Sequence, residues 1–297
     1  MVNSQIIIGG LMNILVTGAK GFIGTYLVRR LKKEGHCVFE HEHSKGDLVN
    51  KETMNQYADV AMDVVYHMAA KTYVTESWEK PSLYISNNNS MLINVLEYCR
   101  EKKAKMVFMS TYLYGEPEYL PIDEEHKCVA NTPYHLCKKI GEDICEFYSR
   151  NFGMDIIAIR PFNVYGKGQN REFLLPKVYE QVISQKIEKI EVFNLTPKRD
   201  YVYVEDLVEA LYRIIPCING YKIYNVGAGK SYSVKEVIDI IQQELGTEKK
   251  IVEKFSERKN EVMDCVADIR CLEDKIGKLS ITSLPEGIHR WHLEDEK

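Results

Sequence analysis

Through residue 166 the chain alternates short apolar runs with helical patterns. Ile14-Leu15-Val16 is a run of the kind a strand buried on both faces needs. Tyr26-Leu27-Val28-Arg29-Arg30-Leu31 switches to helical spacing and stops at Gly35-His36. Strands are predicted at 37–42, 62–70, 105–110 and 155–160, and helices at about 51–57, 81–103 and 134–151. Only four residues separate Glu42 from Asp47, too few for a crossover helix, so 46–48 follows a short loop with Asp47 near the adenine end of any nucleotide. Regular strand–helix alternation argues for a parallel sheet covered by helices on both faces. Beyond 166 the pattern is mixed: helices at 174–187, 205–215 and 233–245, and strands at 190–193, 199–204 and 223–227. The expected fold is α/β, a Rossmann-type doubly wound parallel sheet with a smaller mixed α/β substrate domain. Residues 1–164 form the nucleotide domain, to which 198–225 returns, and 165–297 form the substrate domain.

Between the first strand and first helix lies Thr17-Gly18-Ala19-Lys20-Gly21-Phe22-Ile23-Gly24. Strand, glycine turn and helix together are the context in which a Gly-rich motif points to a dinucleotide. Gly18 and Gly21 let the backbone approach a pyrophosphate, Gly24 lets the helix pack on the strand, and the helix N-terminus offers N–H groups to phosphate. Glu42 lies 24 residues after Gly18, where an acid accepts hydrogen bonds from a ribose and repels a 2′-phosphate. That favours NAD, while His43 and Lys45 leave NADP open. The third strand ends in Ala69-Ala70, small residues suited to a ligand crevice. Asn87-Asn88-Asn89 sits inside a helix against propensity, as residues bonded to something polar do.

Tyr134 and Lys138 are four apart on one predicted helix and share a face. Tyr134 follows Ser110-Thr111, at the end of a strand, by 24 residues from Ser110. A free tyrosine, with a pKa of ~10, is a weak base at neutral pH; lowering it by ~3 units takes about 4 kcal/mol. The expectation is that Lys138 and a cationic nicotinamide supply this together.

Composition adds exclusions. The 297 residues carry 45% hydrophobic and 28% charged side chains and a net charge of -4, so no broad basic surface recommends nucleic acid. Eight scattered cysteines without a C-x-x-C pair fit reduced, cytoplasmic thiols. His36, His41 and His43 lack a ligand frame, so no metal is expected. No run approaches membrane-spanning length, and residues 1–11 read as an appendage ahead of Met12.

These motifs, in this order, resemble the extended short-chain dehydrogenase/reductase superfamily, in its nucleotide-sugar epimerase/dehydratase branch. TGAKGFIG is similar to the cofactor turn and HMAA to the H-x-A-A segment. STYLYG is similar to the S-x-x-x-Y-G segment, and PYHLCK to the P-Y-x-x-x-K helix, with Cys137 in place of a small serine. RPFNVYG, PKRDYVYVEDL and YNVGAG follow in the family's order. The resemblance implies Ser110, Tyr134 and Lys138 as catalytic residues. It implies NAD contacts from Gly18, Gly21, Phe22, Ile23, Gly24, Glu42, Asp47, Leu48, Met68, Ala69, Ala70, Asn88, Tyr134, Lys138 and Pro161. Substrate contacts would come from Val74, Ser110, Thr111 and Asn163, with Arg199 and Arg258 gripping a nucleotide diphosphate. It also implies a homodimer through the helices at 81–103 and 134–151. Thr111 and Tyr112 stand where 4,6-dehydratases carry an Asp-Glu pair, which argues against dehydration. The implied activity is NAD-dependent 4-epimerisation of a nucleotide sugar, UDP-linked. A keto-sugar reductase is the alternative, and a catalytically idle NAD(P) sensor a third reading.

Overall fold

A computed structural model describes residues 10–254 and 262–296. The strands are β1 (Asn13–Thr17), β2 (Cys37–His41), β3 (Val64–His67), β4 (Lys105–Met109), β5 (Ile156–Pro161), β6 (Asn163–Tyr165), β7 (Lys189–Val192), β8 (Lys198–Tyr203), β9 (Tyr221–Val226), β10 (Ser231–Ser233) and β11 (Lys250–Glu253). The helices are α1 (Phe22–Lys33), α2 (Val74–Glu79), α3 (Pro81–Lys102), α4 (Pro133–Phe152), α5 (Leu174–Ile183), α6 (Val204–Arg213), α7 (Val234–Glu244), α8 (Arg270–Ile276) and α9 (Leu284–Asp295).

Six strands form an all-parallel sheet in the order β2-β1-β3-β4-β5-β9. Side chains alternate between two cores, as the period-2 geometry of strands requires. Ile14, Val16, Tyr66 and Ile157 face the layer holding Leu27 and Leu31 of α1 and Leu207 and Leu211 of α6. Leu15, Val65, Met106 and Ile156 face Leu92, Val95 and Leu96 of α3 and Cys145 of α4. The doubly wound sheet expected from the sequence is therefore present. Its order reverses at β1, which has β2 on one side and β3 on the other, and such switch points open a crevice at the strands' carboxyl ends.

A Rossmann sheet ordinarily carries a further strand outside β2. Here residues 43–45 form one 3₁₀ turn and 51–57 a second, so among the described residues β2 is the sheet edge. The remaining strands make two small sheets, β10-β8-β6 and β11-β7. This divides the 198–225 segment. β8 joins the small sheet, paired parallel to β6 and antiparallel to β10, while α6 packs on α1 and β9 joins the main sheet. The structure thus returns only the second part of that segment to the large sheet.

Candidate active site

Two glycines set the geometry at the end of β1. Gly18 has φ +69°, and a Cβ there would lie 2.9 Å from the Ala69 nitrogen. At Gly24 a Cβ would fall 2.2 Å from the Gly18 carbonyl oxygen, so only glycine lets α1 sit this close to the turn. Thr17 ties the turn to β3: its Oγ1 accepts from the Met68 and Ala69 N–H groups at 3.1 and 3.2 Å and lies 3.0 Å from His67 Nδ1. Burial pushes the His67 imidazole down to about 3, so it is neutral. Helix α1 starts from Gly21 with no side-chain cap and no acid in its first turn, leaving its first N–H groups for an anion.

The crevice above is a cavity of about 540 Å³. Gly18, Gly21, Phe22, Ile23 and Gly24 form one wall, and Met68, Ala69, Ala70 and Val74 another. Ser110, Thr111, Tyr134, Lys138, Pro161 and Asn163 complete it. A second cavity, of about 350 Å³, contains Arg199 and shares Asn163, Val164, Gln169 and Phe173 with the first. Arg199 Nη1 donates to the Lys198 and Val262 carbonyls at 2.8 and 2.6 Å. Arg258 lies outside the described residues, as do residues 1–9 of the expected appendage.

Helix α4 carries Tyr134 and Lys138. Thr132 caps it by accepting from the His135 N–H at 3.0 Å, and Pro133 opens its first turn. Tyr134 and Lys138 then project from one face, with the ammonium 6.0 Å from the Tyr134 ring. Lys138 is buried, donates to the Met109 carbonyl at 2.7 Å and is pushed down to about 8 by desolvation. Burial raises the Tyr134 phenol well above its ordinary value, partly offset by the neighbouring Thr111 side chain. The lowering expected from Lys138 is not made in the protein alone: burial in a dry pocket disfavours the phenolate and outweighs the ammonium 6.0 Å from the ring.

Ser110 lines this cavity with its hydroxyl engaged by a helix side chain. Its hydroxyl is buried and donates to Glu142 Oε1 at 2.6 Å. Glu142 in turn holds Arg160, whose Nη2 and Nε lie 2.7 and 2.9 Å from its oxygens. Arg160 also donates to the Tyr114 hydroxyl at 2.9 Å. The Ser110 hydroxyl is therefore committed to Glu142, although the residue lines the cavity, and the hydroxyl facing Tyr134 belongs to Thr111. Sequence reasoning missed Glu142, although its place one helical turn after Lys138 puts it on the same buried face.

Asn88 is engaged by the protein itself. It is buried but does not line the cavity: its amide bonds both backbone groups of Lys71, at 2.8 and 3.1 Å, and donates to Cys137 Sγ at 3.2 Å. It fastens the β3–α2 loop to the helix of Tyr134 and Lys138. Glu42, Asp47 and Leu48 also lie outside the two cavities. Glu42 follows β2 in a shallow depression with Lys20 and Lys45. Asp47 accepts from the Val49 N–H at 3.0 Å, and Leu48 is buried, its carbonyl held by Asn94.

The sequence profile of the NAD-dependent epimerase/dehydratase family matches residues 14–227, from β1 through the end of β9. The chain belongs to that family. It is 34% identical to a Methanocaldococcus jannaschii protein provisionally named a UDP-glucose 4-epimerase, over 93% of this chain and 96% of that one. A Thermotoga maritima UDP-glucose 4-epimerase solved with UDP-glucose superposes with a TM-score of 0.89 at 26% identity, covering 96% and 100% of the two chains. A Thermus thermophilus UDP-glucose 4-epimerase solved with NAD gives 0.85 at 26% identity, covering 94% and 97%. In this NAD-dependent epimerase/dehydratase family member, the uncapped α1 terminus, the glycine turn and the small Ala69-Ala70 wall fit the dinucleotide that the family's description names.

Proposed function

We infer that the protein is an NAD-dependent epimerase that inverts the C4 hydroxyl of a UDP-linked sugar. The observation that carries this reading is the single cavity in which the glycine turn, Thr111, Tyr134 and Lys138 meet. Relatives that bind UDP-glucose and NAD support the substrate and cofactor.

Gly18, Gly21, Phe22 and Ile23 would hold the pyrophosphate, Ala69, Ala70 and Pro161 would flank the dinucleotide, and Glu42 would take the adenosine ribose. Arg199 and Arg258 hold the nucleotide diphosphate, with Asn163 and Val74 beside the sugar. Bound NAD would supply a reversible hydride acceptor for the sugar's C4 and a positive charge beside Tyr134. Tyr134 takes the proton of the C4 hydroxyl as that carbon becomes a ketone and gives it back after the sugar has turned. Thr111 donates to the same oxygen and shares its charge. Lys138 holds the Met109 carbonyl, and so the end of β4, against α4, and its charge favours the phenolate. Ser110, anchored to Glu142, positions Thr111. Residues to 164 together with 204–226 serve the dinucleotide, and the remainder the substrate.

The same reading makes the enzyme a cytoplasmic homodimer. Exposed Leu83, Ile93, Leu136 and Phe147 on α3 and α4 would form the two-fold contact, which sedimentation tests. No helix among the described residues is long and apolar enough to cross a membrane.

The deciding experiment gives purified protein UDP-galactose without added cofactor and measures UDP-glucose. Conversion is expected. Turnover only with added NAD(P)H and a keto sugar would replace this reading by a reductase.

A further inference from the structure

We propose that the imidazole of His135 binds the sugar, hydrogen-bonding a hydroxyl and so selecting neutral sugars over uronates; this rests on the epimerase reading above. His135 follows Tyr134 directly, in the first turn of α4. Its backbone N–H is taken by Thr132, which fixes the residue at the helix start. The ring stands beside the Tyr134 ring, with centroids 6.0 Å apart at 50°, and lines the same cavity as Thr111, Val74 and Asn163. His135 is half-buried, and among the described residues neither of its ring nitrogens has a hydrogen-bond partner, whereas His41 spends both of its nitrogens, on Tyr57 and Gly46. An uncommitted imidazole in a cavity wall is a polar group waiting for a ligand.

Its protonation fixes what that ligand is. Burial holds the imidazole below its ordinary value, so near pH 7 it is neutral, with one nitrogen donating and the other accepting. A sugar hydroxyl answers both, whereas a carboxylate answers only the donor. The rest of the wall agrees. Among the described residues lining this cavity Lys138 is the one full charge, and it is turned to the Met109 carbonyl. No guanidinium there offers a fork to a uronate.

The test titrates NAD-loaded protein with UDP-galactose, UDP-glucuronate and UDP by calorimetry, comparing wild type with His135→Phe and His135→Asn. Phenylalanine keeps the ring's bulk against Tyr134 and removes both nitrogens; asparagine restores a donor and an acceptor. We expect H135F to weaken UDP-galactose about five- to tenfold and to leave UDP within twofold, and H135N to recover much of the loss. Wild type should prefer UDP-galactose to UDP-glucuronate by about tenfold, a preference H135F erodes. Unchanged UDP-galactose affinity in H135F, or equal losses for UDP and UDP-galactose, would overturn the assignment while leaving the epimerase reading intact. Wild-type protein that binds neither UDP nor UDP-galactose would instead overturn the epimerase reading. If H135F does not fold, H135A is titrated against the same three ligands and is judged by the same outcomes.

Discussion

Ser110 and Thr111 are neighbours whose hydroxyls serve different partners: that of Ser110 is buried on Glu142, and that of Thr111 meets the Tyr134 phenol. Both partners lie on α4, with Glu142 about two turns beyond Tyr134. Removing the two hydroxyls should therefore have different results. Thr111→Val should lower kcat by about 100-fold with little change in Tm. Ser110→Ala should retain most of the turnover and lose about 1–3 kcal/mol of stability, because Glu142 loses a buried donor. Steady-state kinetics and thermal unfolding of both variants check this; a dead S110A with an active T111V would reverse the assignment.

Lys138 should make activity fall on the alkaline side. Desolvation disfavours its charge, so the ammonium persists below about pH 8 and is lost above it. Loss of the cation removes support for the phenolate. We expect kcat to decline with an apparent pKa near 8, and Lys138→Arg, which stays protonated, to move that decline beyond pH 10 at reduced overall rate. A kcat profile from pH 6 to 10 decides it.

The Glu142–Arg160 pair is sealed from solvent at 2.7 Å, with only 2% and 4% of the side chains exposed. Breaking such a pair strands a charge, so Glu142→Ala should cost about 3–5 kcal/mol. Replacing both residues with apolar ones of similar size should cost less than either single change. Urea denaturation of the singles and the double measures the difference, and an additive double would contradict it.

On the reading that Glu42 takes the adenosine ribose, a 2′-phosphate would meet its charge, with Lys20 and Lys45 in the same depression. Glu42→Ser removes the repelling charge and leaves both lysines. The preference for NAD over NADP should fall by about tenfold or more in a comparison of their dissociation constants. An unchanged ratio would place discrimination elsewhere.

What the sequence disclosed was local. The glycine turn, its flanking strand and helix, and the Tyr134–Lys138 spacing are set by neighbours along the chain, and the structure keeps them. The choice between Ser110 and Thr111 is made by Glu142, thirty-two residues away, so adjacent hydroxyls read alike until the fold is known. Asn88 announced a polar partner by sitting in a helix, but not that the partner would be the Lys71 backbone. β6 and β10 have three residues each, too short for a period, and without them β8 had no visible sheet to join. His135 gave no pattern at all; its interest comes from a cavity assembled by distant segments.

The sheet that stops at β2 has a consequence for solubility. A bare outermost strand offers backbone groups to any passing chain and is a seed for aggregation. Here Lys45 turns back to hold the Glu40 carbonyl at 2.7 Å, while Lys20 and Lys32 pair with the Glu40 carboxylate. A missing strand is replaced by three ammonium groups gathered on one residue, and that charged fringe guards the rim against adding a foreign one.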